Sequence, residues 1–221
     1  IAASIAFGIN HDEKNNRVLV FDLGAGTLDV SIIEIGGGFH EVLSTSGNSS
    51  LGGIDMDDKL MKLIIKKIKL QYPTWDESKS NKISLSNLAE SMKIELSTKE
   101  SVTVDYDILD GIQITISRIE FENLIGHIID ECKIVVMDAI KGAKLNSLDI
   151  DKVVLIGGPT KMPIIHKTIS ELIRQPEQGI DPTFTVASGA AIQGAVLVNE
   201  LNLPVLYQGL TLVNVTPLDL G

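Results

Sequence analysis

The segment Asp22-Leu23-Gly24-Ala25-Gly26-Thr27 lies between two apolar runs, Val18-Leu19-Val20-Phe21 and Asp29-Val30-Ser31-Ile32-Ile33-Glu34-Ile35. Phosphate recognition needs several backbone N–H groups aimed at one point, and small residues let a turn close on the oxygens. Gly24, Ala25 and Gly26 supply such a turn, and Thr27 adds a hydroxyl donor. Asp22, at the end of a buried strand, can hold a magnesium ion directly or through water. Charge-assisted bonds of this kind are worth about 1.5–3 kcal/mol each, so a few suffice for micromolar binding. An ordinary tight hairpin uses the same Gly-x-Gly turn, so the motif by itself leaves both readings open.

The flanks discriminate. A strand follows Gly26, whereas the Rossmann fingerprint and the P-loop require a helix there. Strand, phosphate hairpin and strand is instead the arrangement of the actin-like ATPases. A second loop, Gly157-Gly158-Pro159-Thr160, follows the apolar run Lys152 to Ile156 and leads into a helical pattern reaching about Ile173. The first N–H groups of a helix there, with its positive dipole end, favour an anion or the ribose and phosphate of a nucleotide. Read alone, this is also a plain strand-to-helix turn. Glu90, Lys93 and Ser97 stand three and four apart, so one helix face can bring them to one ligand. The bland alternative for these three is an exposed ion pair followed by a helix-end serine.

These residues need elements to position them. After the first two strands, Gly36-Gly37-Gly38 turns the chain into a third, Phe39 to Thr45, which predicts an antiparallel meander. From Asp55 the period becomes helical, with Met56, Leu60, Leu63, Ile64 and Ile68 inward and Pro73 ending the helix. A second helix is predicted from about Leu85 to Leu96, capped by Ser84. Val102, Val104 and Tyr106 alternate, Asp110-Gly111 supplies a turn, and Ile112, Ile114 and Ile116 return. Ser117-Arg118-Ile119-Glu120 reads as a capping box opening one long helix that Gly142 stops. A last helix, Val186 to Leu197, carries Ala187, Ala190, Ala191 and Ala195 as a stripe for close backbone packing, and Leu210 to Val215 reads as a strand.

Composition bounds the function. At 221 residues, 44% hydrophobic and 22% charged, the chain has ordinary globular statistics. A net charge of -10 opposes nonspecific nucleic-acid binding, which needs clustered Lys and Arg. Lys66, Lys67 and Lys69 read as the wet face of a helix. The single cysteine, Cys132, reads as a small core hydrophobe, and His11, His40, His127 and His166 form no ligand pair. No apolar run approaches the roughly 18 residues that span a bilayer, so no membrane segment is expected. Lacking an initiator Met before Ile1 and ending on Thr216-Pro217-Leu218-Asp219-Leu220-Gly221, the chain reads as a piece of a longer protein.

In order and spacing, five motifs resemble the DnaK-type (70-kDa) heat-shock chaperones. They are Phe21 to Ser31, Leu51-Gly52-Gly53-Ile54-Asp55-Met56-Asp57, Lys93-Ile94-Glu95-Leu96-Ser97, Ile156 to Pro163, and Gly189-Ala190-Ala191-Ile192-Gln193. Val215 to Gly221 is similar to the start of that family's peptide-binding domain. The resemblance implies an α/β fold: an actin-like, ribonuclease-H-like ATPase lobe with an inserted α+β subdomain. Its base would be residues 1–51 and 134–205, the insertion residues 52–133, and residues 206–221 the interdomain linker and the start of the next domain.

Carried over by position, the resemblance implies ATP or ADP with magnesium, and potassium as the monovalent ion. Asp22 would join the magnesium and water network, with Asp29 a second carboxylate near the ions. Thr27 would contact the γ-phosphate, and Gly24, Ala25 and Gly26 would form the backbone cradle. Glu90 and Lys93 would hold the ribose, Ser97 would meet the adenine, and Ile94 belongs to the same set. Gly157 and Gly158 would sit beside the nucleotide and Lys161 would flank the base. The implied partners are a J-domain co-chaperone, a GrpE-like nucleotide exchange factor and, through an absent domain, unfolded polypeptides. The implied location is cytoplasmic, with neither nucleic acid nor membrane as a partner. A relative that binds ATP without productive hydrolysis, acting as a co-chaperone or exchange factor, is the alternative. It rests on Ala25, where the family has Gly, on Pro159, where it has a polar residue, and on Thr183, in Thr183-Phe184 where it has an acidic pair; Lys161 for Arg is a further departure from the family pattern. Alanine would cost about 1–2 kcal/mol if position 25 needs a left-handed backbone.

Overall fold

The structure, a computed structural model, describes residues 2, 5–6, 15–37, 39–75, 79–106, 112–198 and 211–213. In chain order the strands and helices are β1 (Asn16–Leu23), β2 (Leu28–Gly36), β3 (Phe39–Asn48), α1 (Gly53–Gln71), α2 (Lys79–Leu96), β4 (Ser101–Tyr106) and β5 (Ile112–Ser117). They continue as α3 (Arg118–Leu124), α4 (Gly126–Gly142), β6 (Lys152–Ile156), α5 (Pro163–Leu172), α6 (Thr185–Leu197) and β7 (Thr211–Val213). The larger sheet has the order β6-β1-β2-β3-β7, and β4 and β5 form a separate antiparallel pair.

The predicted meander is present: β1 pairs antiparallel with β2, and β2 with β3. Gly37 takes φ +56 in the connecting turn, a conformation glycine adopts without steric cost. β6 joins β1 in parallel and β7 joins β3 in parallel. β1 is an interior strand between β6 and β2, and its continuous apolar run follows from burial on both faces. Leu19, Phe21 and Leu23 enter the main core, while Val18 and Val20 enter a second cluster with Ile33, Ile35, Val42, Val154 and Ile156. α4 packs across β2 and β3 on the main-core side and buries Ile128, Ile129, Cys132, Val136 and Ala139. Burial pushes the Cys132 thiol up to about 12, consistent with its reading as a core hydrophobe. α1 buries Met56, Leu60, Ile64 and Ile68 against the same core and packs on α2.

Several local expectations change. α2 begins at Lys79, so Ser84 is interior rather than a cap; its first turns are polar and carry no apolar period to read. The turn at Asp110-Gly111 lies outside the described residues. Ser117 does cap α3, accepting from the Glu120 N–H at 3.2 Å, but the Glu120 carboxylate pairs with Lys67 at 3.0 Å instead of reaching back. Lys67 also donates to the Thr115 carbonyl at 3.1 Å, so it is a half-buried tie to β5, unlike exposed Lys66 and Lys69. The expected single long helix breaks at Ile125, where ψ is 6. α4 does end at Gly142, yet the left-handed residue beyond it is Lys144, φ 58; Gly142 instead lets the helix approach Ser44, whose Oγ a Cβ would strike. On α6 the alanines 187, 190 and 191 are exposed, and close packing falls at Gly189, where a Cβ would overlap the Ala2 carbonyl. Among the described residues no helix is long and apolar enough to cross a membrane.

His40 is buried in β3 opposite Ile35 on one side and Leu212 of β7 on the other. Its Nδ1 is buried without a hydrogen-bond partner among the described residues, and burial lowers its pKa from 6.5. The folded chain therefore binds fewer protons than the unfolded one below that value, so stability falls as pH drops from 6.5 toward the lowered pKa. The loss has a limiting slope of about 1.4 kcal/mol per pH unit for one proton. Urea unfolding between pH 7.5 and 5 is expected to show this slope, and His40→Leu is expected to flatten it.

Candidate nucleotide site

β1 and β6 run parallel and end together, with Asp22 beside Ile156 in register, so both glycine loops leave the sheet at one edge. Ligands collect outside the carboxyl ends of parallel strands for this reason. Gly24 N–H donates to the Thr27 carbonyl at 2.9 Å and closes the hairpin turn. A third segment, Leu51-Gly52-Gly53, completes the group. Gly53 N–H donates to the Gly24 carbonyl at 3.0 Å and Ile54 N–H to the Ala25 carbonyl at 2.8 Å. The first amides of α1 are thus satisfied by the hairpin, and the Asp55 carboxylate accepts from Gly52 N–H at 2.8 Å. On the hairpin, the amides of Ala25, Gly26 and Thr27 donate to nothing among the described residues.

The three loops meet where no side chain fits. A Cβ on Gly52 would lie 2.5 Å from the Ala25 carbonyl carbon and 2.6 Å from Gly26 Cα. A Cβ on Gly157, already at φ +92, would lie 2.6 Å from the Leu23 carbonyl carbon. Gly26 is different, with nothing within 4 Å of an added Cβ. Ala25 has no positive φ, since Lys144 alone among described non-glycine residues does. The strain anticipated for alanine at position 25 is absent.

Beside this junction opens a cavity of about 480 Å³. Seven of the expected residues line it: Ala25, Glu90, Lys93, Ile94, Ser97, Gly158 and Lys161. Asp22, Gly24, Gly26, Thr27, Asp29 and Gly157 are not on its wall; they form or support the adjoining hairpin. The second loop departs from expectation. A short 3-10 turn, Gly158–Lys161, intervenes, and α5 starts only at Pro163, so no α-helical N-terminus stands at Gly158. Pro159 occupies the first turn of that 3-10 segment, where a missing N–H costs little. Thr160 anchors the loop by donating to the Gly157 carbonyl at 2.6 Å.

Gly53, Ile54, Asp57, Thr98, Pro159 and Met162 also line the cavity. Asp57 had a signal in the sequence: it shares the helical stripe of Leu60 and Ile64, an odd place for an acid. It is 8% exposed, as is Lys93, whose Nζ stands 2.7 Å from Asp57 Oδ2 and 3.2 Å from the Gly53 carbonyl. Burial raises the Asp57 pKa against the opposing pull of Lys93. Ser97 donates to the Lys93 carbonyl at 3.3 Å, which leaves its oxygen lone pairs for a donor in the cavity.

Asp22 and Asp29 stand opposite each other across β1 and β2. Burial, and then the charge of Asp29, raise the Asp22 pKa. Neither carboxylate has a hydrogen bond or ion pair among the described residues, and like charges opposed in a sheet are destabilising. The pair fits a cation held through water. Among the described residues no three His, Cys, Asp or Glu side chains gather into a direct metal cluster.

The mixed sheet, the glycine hairpin, the second glycine loop and the cavity beside them are consistent with an actin-like fold. The family model described as "Hsp70 protein" matches residues 1–221. Similar curated proteins include the "Chaperone protein DnaK" of Nitrosopumilus maritimus, 39% identical over the whole chain and 35% of the relative. Those of Methanothermobacter thermautotrophicus and Cyanidium caldarium are 41% and 42% identical, again over the whole chain and 37% and 36% of the relatives. The chain belongs to the Hsp70 family. It spans a little over a third of the length of these relatives.

Two outcomes follow from the geometry. Gly157→Ala is expected to destabilise the chain by about 3 kcal/mol or more, combining backbone strain with overlap on Leu23, whereas Gly26→Ala should cost less than about 1 kcal/mol; chemical denaturation compares them. Asp22→Asn removes a half-buried charge facing a like charge. Ionised Asp22 destabilises the fold at every pH above its raised pKa, so the variant is expected to gain up to about 1 kcal/mol at neutral pH without added ions. An unchanged or lower denaturation midpoint would contradict this account of the pair.

Proposed function

We propose that this chain is the nucleotide-binding half of an ATP-dependent molecular chaperone, which couples ATP binding and hydrolysis to the binding and release of unfolded polypeptides. The supporting observation is the hairpin itself: three adjacent amides, on Ala25, Gly26 and Thr27, donate to nothing among the described residues, and they adjoin a cavity whose lining carries Lys93, Lys161, Asp57 and Glu90 among apolar side chains. That juxtaposition suits a ligand with an anionic end and a flat, largely apolar end.

In this reading the hairpin amides and Thr27 Oγ1 bind phosphate, with Thr27 at the γ-position. Glu90 and Lys93 bind the ribose, Ser97 and Lys161 meet the base, and Ile94, 61% exposed, gives it an apolar wall. Asp22 and Asp29 hold magnesium and potassium, mainly through water; bound there, the cations supply charge neutralisation for the phosphates. Residues 52–133 are the inserted subdomain, and residues 206–221 the linker and the start of the next domain. The pairing of β7 with β3 supports the linker reading, because it ties that segment to the sheet that carries the hairpin. J-domain proteins, an exchange factor and unfolded polypeptides are the partners this reading entails. Hydrolysis is preferred over ATP binding without turnover because Ala25 and Pro159, the departures nearest the phosphates, are both accommodated without strain.

The isolated 221-residue chain is expected to bind ADP weakly and turn over ATP negligibly, since electrostatic stabilisation of phosphoryl transfer needs charges on both sides of the phosphates. In the full-length protein, Thr27→Ala should slow single-turnover hydrolysis at least about tenfold and leave ADP affinity within about threefold, the mark of an interaction reserved for the γ-phosphate. Hydrolysis that a J-domain fails to stimulate would favour the non-hydrolysing relative. Full-length protein that binds no adenine nucleotide in calorimetry would overturn the proposal.

A further inference from the structure

Glu90 and Lys93 lie one helical turn apart on α2, the spacing at which a glutamate and a lysine normally pair with each other. They do not pair. Lys93 turns instead into the protein, to Asp57 on α1 at 2.7 Å and to the Gly53 carbonyl at 3.2 Å, while Glu90 remains exposed with no partner among the described residues. Two of the three ammonium donors are therefore committed to fixed acceptors, and the ammonium is held on the wall of the cavity.

The arrangement is poorly explained by stability. A buried ion pair roughly cancels its own desolvation cost, and this one leaves Asp57 Oδ1 buried without a partner among the described residues. Gly53 also joins the clamp to the hairpin, through its N–H on the Gly24 carbonyl. The same short segment thus fixes the position of Lys93 and the position of the phosphate turn.

We infer that Asp57 is a positioning residue: by drawing Lys93 away from Glu90 it keeps one acceptor and one donor separately available at the cavity mouth for the two hydroxyls of a ribose. This rests on the nucleotide reading proposed above and adds to it a residue that need not touch the ligand. Without Asp57, Lys93 collapses onto Glu90 and both are lost to the ligand together.

The test is calorimetric binding of ADP and of 2′,3′-dideoxy-ADP to the full-length protein. Wild type is expected to prefer ADP at least about tenfold, the equivalent of one charge-assisted hydrogen bond. Asp57→Asn, close to isosteric, should bring that preference to within about twofold and leave the affinity for the dideoxy nucleotide nearly unchanged. A merely structural role would weaken both ligands alike. Asp57→Leu with Lys93→Met provides a second arm, expected to keep or raise the thermal midpoint while losing the same preference. Wild type that prefers ADP, with an Asp57→Asn variant that prefers it equally, overturns this inference alone. Wild type that binds neither nucleotide overturns the functional proposal and the inference with it.

Discussion

Three backbone turns, at Gly24 to Thr27, Gly52-Gly53 and Gly157, share one point in space that has no volume for a Cβ on Gly52 or Gly157. Their closeness is what lets the first amides of α1 donate to the hairpin carbonyls, while the amides of Ala25, Gly26 and Thr27 donate to nothing among the described residues. The parallel pairing of β1 with β6 brings two of the turns to the same sheet edge, and α1 delivers the third. Moving the hairpin by the width of a methyl group would displace the other two, because its contacts with Gly52 and with Gly157 are backbone on backbone and cannot be relieved by a rotamer change. The cavity beside them inherits its shape from this junction.

Charge is handled at the site by separation rather than by pairing alone. Lys93 is neutralised from below by Asp57, and Glu90 is left without a partner among the described residues at the rim. On the other side of the hairpin, Asp22 and Asp29 oppose each other at a cost to the apo fold. Both arrangements forgo local stability, and both are intelligible if a ligand with anionic groups and accompanying cations completes them. The main core, continuous from β1 through α4 to α1 and α2, carries enough buried apolar surface to tolerate them.

Much of the fold could be read in advance because apolar periodicity reports burial directly. The meander, α1, and the strand Lys152–Ile156 followed from it, and Ser117 as a cap followed from hydroxyl chemistry at a helix start. Some of the misreadings share a cause: a group with two possible partners, one near in sequence and one distant. Glu120 chose Lys67 over its own helix end, and Lys67 chose β5 over water. The bland alternative for Lys93, an ion pair with Glu90, gave way in the same manner to Asp57. Local spacing gives only the near partner.

Residue types and their order were sufficient to specify a glycine-rich hairpin, the Glu90, Lys93 and Ser97 set on one helix and the family resemblance, since those depend on backbone freedom, side-chain chemistry and spacing along a single element. The tertiary structure alone decided that Ala25 sits unstrained, that a 3-10 turn rather than an α-helix follows Gly157, and that Asp57 holds Lys93. Those outcomes depend on which elements pack side by side, and the preference of a charged or conformationally flexible group is settled by neighbours that are tens of residues away in the chain and a few ångströms away in space.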